Sequence, residues 1–427
     1  WVPQNSLSRQ PQQDHLYKGD GQGGFADVTV DAGLTTKVWG YPDEISAGVA
    51  HTNAWSANAC DLNGDGNADL LAASYGRAPN HMWQNVGGSF TNRSVASGYA
   101  FDGDQNYKDN QWFMCWCTAN SSNSQCSGVG RPALQCPNPA GVNWRANLDN
   151  QPYRLGGNSG ATSCVDVDND GDIDLLTGEI KHWWAGSSSD GAELLINDGS
   201  GDVVFERPGN EALGLTRERP GSSWDQGDMT NTTLDFDNDR WPDVFVGSSD
   251  YTGTRSLLWH QDSKLSFSEV ATDDFFEHFR SHGVAVADFD RDGDVDVVVG
   301  NSRSRCGGTP DCYERPQVRL FLNDLGGNFI QLDLEGAEGT NKGAIGARVS
   351  VKAGEVTQTI EVSGGYGHYG AQNPHRLHAG LGAECEAEVT VRWPDGRLST
   401  SETYTLPAGH RYRIVQGQGP TLAESAE

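Results

Sequence analysis

Four acidic segments in one register constrain this 427-residue chain more than any other feature. They read DLNGDGNAD from Asp61, DVDNDGDID from Asp166, DFDNDRWPD from Asp235 and DFDRDGDVD from Asp288. Each runs straight into two or three residues drawn from Leu, Val and Phe and then a small residue. Carboxylates or an amide stand at relative positions 1, 3, 5 and 9, with a backbone carbonyl available at 7. That donor set approaches the six to eight oxygens that a cation of Ca²⁺ size takes. The implied ligands are Asp61, Asn63, Asp65, Asn67 and Asp69 in the first loop, and Asp166, Asp168, Asp170, Asp172 and Asp174 in the second. The third supplies Asp235, Asp237, Asp239, the Trp241 carbonyl and Asp243; the fourth supplies Asp288, Asp290, Asp292, Asp294 and Asp296. Up to four Ca²⁺ ions are expected. Glycine at position 6, which permits the sharp turn around an ion, is present as Gly66, Gly171 and Gly293. The third loop has Arg240 there and Pro242 at position 8, so metal is expected to be weakest in that loop.

An EF-hand opens similarly but closes on a bidentate Glu at position 12 between two helices. Position 12 here is Ala72, Thr177, Val246 and Val299, and the flanks (SCVDV, TTLDF, GVAVADF, DVFVG, DVVVG) read as strands. The loops are therefore hairpin loops. Solvated acidic turns without metal are the bland alternative, but four loops in one register weigh against it. Further pieces recur after each loop: HMWQNVGGSF, LLINDGSGDVVF, LLWHQDSKLSF and LFLNDLGGNF. Strand, acidic loop, strand, turn and strand make up a four-stranded propeller blade. The expected fold is all-β, a β-propeller of about seven blades with calcium-binding hairpin loops, plus a small C-terminal β-module. The long gap between the first two loops is expected to hold a blade without a metal motif together with a Cys-rich insertion.

The formal charge of −28 and the absence of a basic run argue against nucleic acid or an anionic membrane as partner. No stretch approaches the length of apolar residues a membrane-spanning helix needs, so no membrane span is expected. The start at Trp1 rather than Met suggests a processed chain. Cys115, Cys117, Cys126 and Cys136 lie close together without paired C-x2-C knuckles, and Cys306 and Cys312 bracket a short loop. Disulfides are favoured over zinc, which places the chain outside the cytosol, secreted, extracellular or periplasmic. Nine cysteines leave one over, and Cys385 stands alone.

The four loops with their apolar strands resemble the FG-GAP repeats of integrin α-subunit-like propellers, and FADVTVDAGL and SFTNRSVASG resemble a phrase of cartilage acidic protein-like chains. GAIGARVSVKAG, SGGYGHYGAQNPHRLHAGLG and VTVRWPDGR match the pattern of the ASPIC/UnbV module that ends such chains. The resemblance spans roughly residues 20–417. It implies a tail at 1–20, a propeller at 21–327 with an insertion near 102–150, a β-module at 328–417 and a tail at 418–427. The insertion and the glycine-free third loop depart from the pattern.

Within the module, Tyr366, His368, Tyr369, His375, Arg376 and His378 crowd together, and His378 is expected to lock the module's own loop. No G-x-S-x-G, HExxH or phosphate-cradling loop is present. His51 and His282 precede two of the acidic loops, with Asn53, Trp55, Asn158, Asp228, Asn231 and Arg280 in comparable places, where they would converge at a channel mouth. Hydrogen-bonding neighbouring blades and filling the channel is the bland role for such groups; an acid, base or metal-binding role for the two histidines is the functional one. His182, Trp183 and Trp184 with Trp112, Trp116 and Trp144 offer an aromatic surface. The leading expectation is a secreted calcium-binding propeller that binds an extracellular protein or glycan, as in adhesion. The alternatives are an enzyme working at the channel mouth, with His51 and His282 and a His-bound metal, and a self-assembling surface or filament subunit.

Overall fold

The computed structural model describes residues 12–423 apart from 40–41, 77, 105, 138–143, 145–157, 219–220, 272–276, 310, 338, 364–371 and 396–399. Four short strands, β1 (Tyr17–Gly19), β2 (Phe25–Asp27), β3 (Lys37–Val38) and β4 (Ala50–His51), precede the repeats. The first repeat is an antiparallel meander of β5 (Ala54–Cys60), β6 (Asp69–Ser74), β7 (His81–Val86) and β8 (Ser89–Asn92). The second contains β9 (Asn158–Val165), β10 (Asp174–Lys181), β11 (Glu193–Asn197) and β12 (Phe205–Glu206). The third contains β13 (Gln226–Leu234), β14 (Asp243–Ser248), β15 (Leu257–Ser263) and β16 (Ser266–Glu269). The fourth has three strands, β17 (Ser281–Ala287), β18 (Asp296–Asn301) and β19 (Val318–Phe321). Each acidic segment is the hairpin loop between the first two strands of its sheet.

The second strands DLLAAS and DVFVGS are buried along their whole length, as strands covered on both faces must be. Apolar layers join successive sheets: Leu71 and Met82 meet Leu175 and Leu195, Leu176 and Leu194 meet Val244 and Trp259, and Phe245 and Leu258 meet Val286 and Val297. The first strands lie side by side. Asn58 Nδ2 donates to the Thr162 carbonyl at 2.9 Å, Ser163 Oγ donates to Asn231 Oδ1 at 2.5 Å, and Ser248 and Ser281 exchange two backbone-to-hydroxyl bonds of 2.9 Å. At Gly160 a Cβ would stand 2.5 Å from the Met229 carbonyl oxygen, so only glycine allows this approach. The result is an all-β, propeller-like array.

The described residues contain four such repeats, the second and third joined through β10 and β13 into one eight-stranded sheet. Among the described residues between the first two acidic loops there is no further blade: β5 packs directly on β9, and a Cys60–Cys164 disulfide ties their ends across a sequence separation of 104. The described part of the intervening segment carries instead a helix, Gln111–Ala119. It is capped by Asn110, whose Oδ1 accepts from the Trp112 and Phe113 amides, and is stapled by Cys115–Cys136 and Cys117–Cys126 around Phe113 and Trp144. Cys306–Cys312 closes the short loop, and Cys385 is free and exposed.

The last part is a sandwich of two four-stranded sheets. One is β20 (Asn328–Glu335) with β23 (Leu377–Gly382), β26 (His410–Val415) and β27 (Gly419–Leu422). The other is β21 (Arg348–Ala353) with β22 (Val356–Glu361), β24 (Glu386–Arg392) and β25 (Ser401–Pro407). Ile330, Val349, Val389, Trp393 and Ile414 fill its core. Strand β27 pairs with β26, so the sandwich runs past residue 417, where a tail was expected.

Candidate metal centres

Each loop is shaped by its own carboxylates. At position 1, Asp61, Asp166 and Asp235 accept the backbone N–H groups of residues 5 and 6 of their loops at 2.9–3.1 Å. Asp288 accepts those of Arg291 and Gly293. Position 6 has positive φ in all four loops: Gly66 87°, Gly171 100°, Arg240 88° and Gly293 101°. Arg240 thus adopts the turn that glycine takes elsewhere. The missing glycine therefore does not change the backbone path of the third loop.

The position-9 aspartates repeat a second device. Asp69, Asp174, Asp243 and Asp296 each accept the N–H of loop position 2 with one oxygen and the N–H of a third-strand Asn or Gln with the other. The latter bonds, from Asn85, Asn197, Gln261 and Asn323, are 2.7–2.8 Å. The side-chain amides of Asn197, Gln261 and Asn323 then reach back to the position-2 carbonyls of the preceding loop, at Leu62, Val167 and Phe236. One carboxylate therefore pins its own hairpin, and the neighbouring amide chains the loops together. The recurring Asn or Gln is visible in the sequence, but this role was missed there.

In three loops the carboxylates at positions 1, 3 and 9 gather with one oxygen each within 4.8 Å of the others: Asp166, Asp168 and Asp174; Asp235, Asp237 and Asp243; Asp288, Asp290 and Asp296. The first loop has Asn63 at position 3 and so has no all-carboxylate triad. Burial, with neighbouring carboxylates adding to it, pushes Asp69 and Asp166 up to about 7 and Asp174 and Asp235 up to about 8; Asp61, Asp168, Asp243 and Asp296 are also raised. Clustered carboxylates withdrawn from water favour the protonated form unless a cation joins them. These clusters are able to hold a metal ion, and the oxygen-only donors suit a hard one.

Cationic side chains already approach some loops. Lys264 Nζ lies 3.2 Å from Asp168, and the buried Arg348 lies 3.8 Å from Asp61 and 3.6 Å from Glu361 while donating to the Asp61 carbonyl. Arg348 belongs to the sandwich, and the contact is general: the sandwich covers the loop end of the array. Thr359 bonds Asp166, Gln331 Nε2 donates to Asp288 at 2.7 Å, and the Gly382 N–H donates to the Asn238 carbonyl at 2.8 Å. His378 Nε2 lies 2.7 Å from Asn238 Oδ1. His378 therefore ties its module to the third acidic loop, which corrects the expectation that it locks a loop of its own module. Between the two parts lies a cavity of about 180 Å³ lined by Asp166, Asp235, Asp288, Gln331, Gln358 and Glu361.

The opposite end of the first strands gathers different chemistry. Trp55 stacks on Tyr75 at 3.9 Å, His182 stacks on Trp184 at 4.9 Å and meets Tyr251 edge-on, and the Arg305 guanidinium lies 4.5 Å over Tyr251. Trp112 of the insertion reaches Trp184. Most of the polar groups expected at a channel mouth act as cross-links, the bland role expected for them. Asp228 holds Arg217 and the Ala192 N–H, Asn231 bonds Ser163 and the Ala161 carbonyl, Asn158 accepts the Gly76 N–H, and Arg280 clamps Asp311, Asp250, Thr252 and Thr309. His51 bonds Thr36 at 2.8 Å, and His282 lies on β17 opposite Gly300 with its pKa depressed by burial. Tyr366, His368 and Tyr369 fall outside the described residues.

Repeated acidic hairpins on a propeller-like array, capped by a β-sandwich, define the class to which the comparisons also point. Residues 235–299 match the FG-GAP-like repeat, and residues 337–421 match ASPIC and UnbV. The chain carries both. Cartilage acidic protein 1 of Homo sapiens is 26% identical over 178 residues, which are 40% of this chain and 25% of that protein, so the chain spans about a quarter of the curated relative it matches. An Agrocybe aegerita lectin that specifically recognises non-reducing terminal N-acetylglucosamine aligns over 74% of this chain and 61% of its own at 14% identity, with a TM-score of 0.33.

Proposed function

We propose that this chain is an extracellular, calcium-stabilised binding protein of the adhesion type, with a protein or glycan as ligand. The observation that carries the reading is the convergence of carboxylates at positions 1, 3 and 9 of successive loops, all buried in the second loop and with the position-9 aspartate buried in each. Calcium there is structural: it offsets carboxylate repulsion, fixes each hairpin and firms the surface on which the sandwich rests. Four disulfides among the described residues support an oxidising compartment. None of the described helices is long and apolar enough to cross a membrane.

The covered loop end leaves the aromatic end as the ligand surface. Rings that offer a face beside Asp225, Asp250 and Arg305 can stack on sugar or anchor a protein side chain. Metal-stripped protein is to be assayed for calcium by equilibrium dialysis with elemental analysis, and calcium-loaded protein is to be screened on a glycan array and on extracellular matrix proteins. Stoichiometric calcium together with ligand signals lost in a Trp184→Ala, Tyr251→Ala variant is the expected result. Signals that survive that variant would move the ligand surface elsewhere, and an absence of bound calcium would remove the metal half of the proposal.

A further inference from the structure

The third loop differs from the others in one donor. The residue before the recurring third-strand Asn or Gln is Gln84, Ile196 and Leu322 in the first, second and fourth repeats, but His260 in the third. The His260 ring Nε2 lies 3.1 Å from an Asp237 oxygen and 3.6 Å from an Asp239 oxygen. These three side chains form a ligand-capable group separate from the oxygen-only triad of Asp235, Asp237 and Asp243, with Asp237 common to both.

Every member of the group is held by one heteroatom and turns the other inward. Asp237 Oδ1 accepts the Asp239 N–H at 3.3 Å and presents Oδ2; Asp239 Oδ1 accepts the Trp241 N–H at 2.8 Å and presents Oδ2. His260 Nδ1 lies 2.9 Å from Asp262 Oδ1, which also accepts from Ser268 Oγ, and the edge of the Phe236 ring braces the imidazole. Because a carboxylate only accepts, Nδ1 carries a proton toward Asp262, and Nε2, which faces Asp237 and Asp239, is the position where a metal ion would take the place of the ring's second proton. That nitrogen is shut off from solvent and makes no hydrogen bond, yet it faces two carboxylate oxygens. Three donors thus converge on one point, where a divalent cation would balance the two carboxylates in place of that proton. A histidine whose second nitrogen is held by a carboxylate is the usual support for a metal-binding imidazole. In a tetrahedral site with bonds of about 2.1 Å, neighbouring ligand atoms stand roughly 3.4 Å apart, close to the separations found here.

We infer that Asp237, Asp239 and His260 form a site for a divalent ion of the imidazole-binding class, Zn²⁺ foremost, beside the oxygen-only triad of the same loop. The inference builds on the reading of the third loop as a cation site and changes the ion it selects. Imidazole nitrogen suits Zn²⁺ and its first-row neighbours, whereas calcium prefers oxygen throughout.

The test titrates metal-stripped protein with Co²⁺, as a spectroscopic stand-in for Zn²⁺, in an excess of Ca²⁺. One Co²⁺ per chain with visible ligand-field bands, displaced by Zn²⁺, is expected. His260→Gln should weaken it at least about 100-fold, and Asp262→Asn, which leaves all three donors in place, about 10–100-fold. Failure of Co²⁺ to bind in the presence of Ca²⁺, or binding unchanged in His260→Gln, would overturn the site and leave His260 as a charged partner of its loop. The calcium count of the second and fourth loops in the same titration judges the acidic loops separately, because neither contains a histidine.

Discussion

The two ends of the first strands are built on opposite principles. At the loop end, carboxylates crowd into buried clusters that the chain's own cations only partly balance, and the sandwich closes over them. At the other end, rings stack on rings and most polar groups are already satisfied by partners on neighbouring sheets. On the proposed reading, cations complete the first end, while the second is a finished scaffold whose ring faces would meet a ligand. A protein that uses one end to hold itself together and the other to meet a partner would show this asymmetry.

Removal of calcium should separate the two ends most strongly. Each ion bound well above its dissociation constant contributes roughly 2–3 kcal/mol, so chelation should lower the melting temperature by about 10 °C or more. Substitutions in the aromatic cluster should leave that chelation effect intact. Arg348→Gln comes next, because it leaves Asp61 and Glu361 buried without their guanidinium. A loss of about 3–5 kcal/mol is expected, with protease cleavage appearing between the fourth sheet and the sandwich. Cleavage confined to the aromatic end would break the comparison. Asp174→Asn should cost about 2 kcal/mol and one ion per chain, since the carboxylate serves two backbone N–H groups as well as the cluster.

A smaller effect belongs to the other end. Glu179 is buried, bonds Ser159 Oγ at 2.8 Å, and is pushed by burial up to about 8. A carboxyl whose folded pKa is raised binds its proton more tightly when folded. Its stabilising contribution is full below about pH 4, where both states are protonated, and is lost as pH rises toward 8. Glu179→Gln should therefore flatten the fall in stability between pH 5 and 8 by at most about 1.4 kcal/mol per pH unit, read by chemical denaturation at each pH in saturating Ca²⁺. Smallest is Trp184→Ala, half-exposed at the aromatic end, which should change stability by about 1 kcal/mol or less while abolishing ligand signals.

The loops were legible because their donors are local: positions 1, 3 and 9 fall within nine residues, and hairpin geometry does the rest. The β-character of the flanks was legible for the same reason, through the apolar runs that follow each loop. Capping of the loop end was not, because it joins residues as distant as Asp61 and Glu361, separated by 300 positions. The role of His378 failed to show for the same reason, since its partner Asn238 lies in another domain. The expected blade between the first two loops followed from segment length alone, and a disulfide-stapled helical insertion fills such a length equally well. His260 did leave a signal, a polar ring where Ile196 and Leu322 stand in other repeats, but its meaning depends on Asp262 and on the loop folded against it.

The central claim is that the loop end requires cations to be complete. Calorimetric titration of the metal-stripped chain with Ca²⁺ tests it most directly. The account predicts saturable binding of more than one ion per chain, with proton release that grows as the pH is lowered, because raised carboxyls must ionise to bind. Absence of binding heat at every pH, with a melt unchanged by calcium, would contradict it.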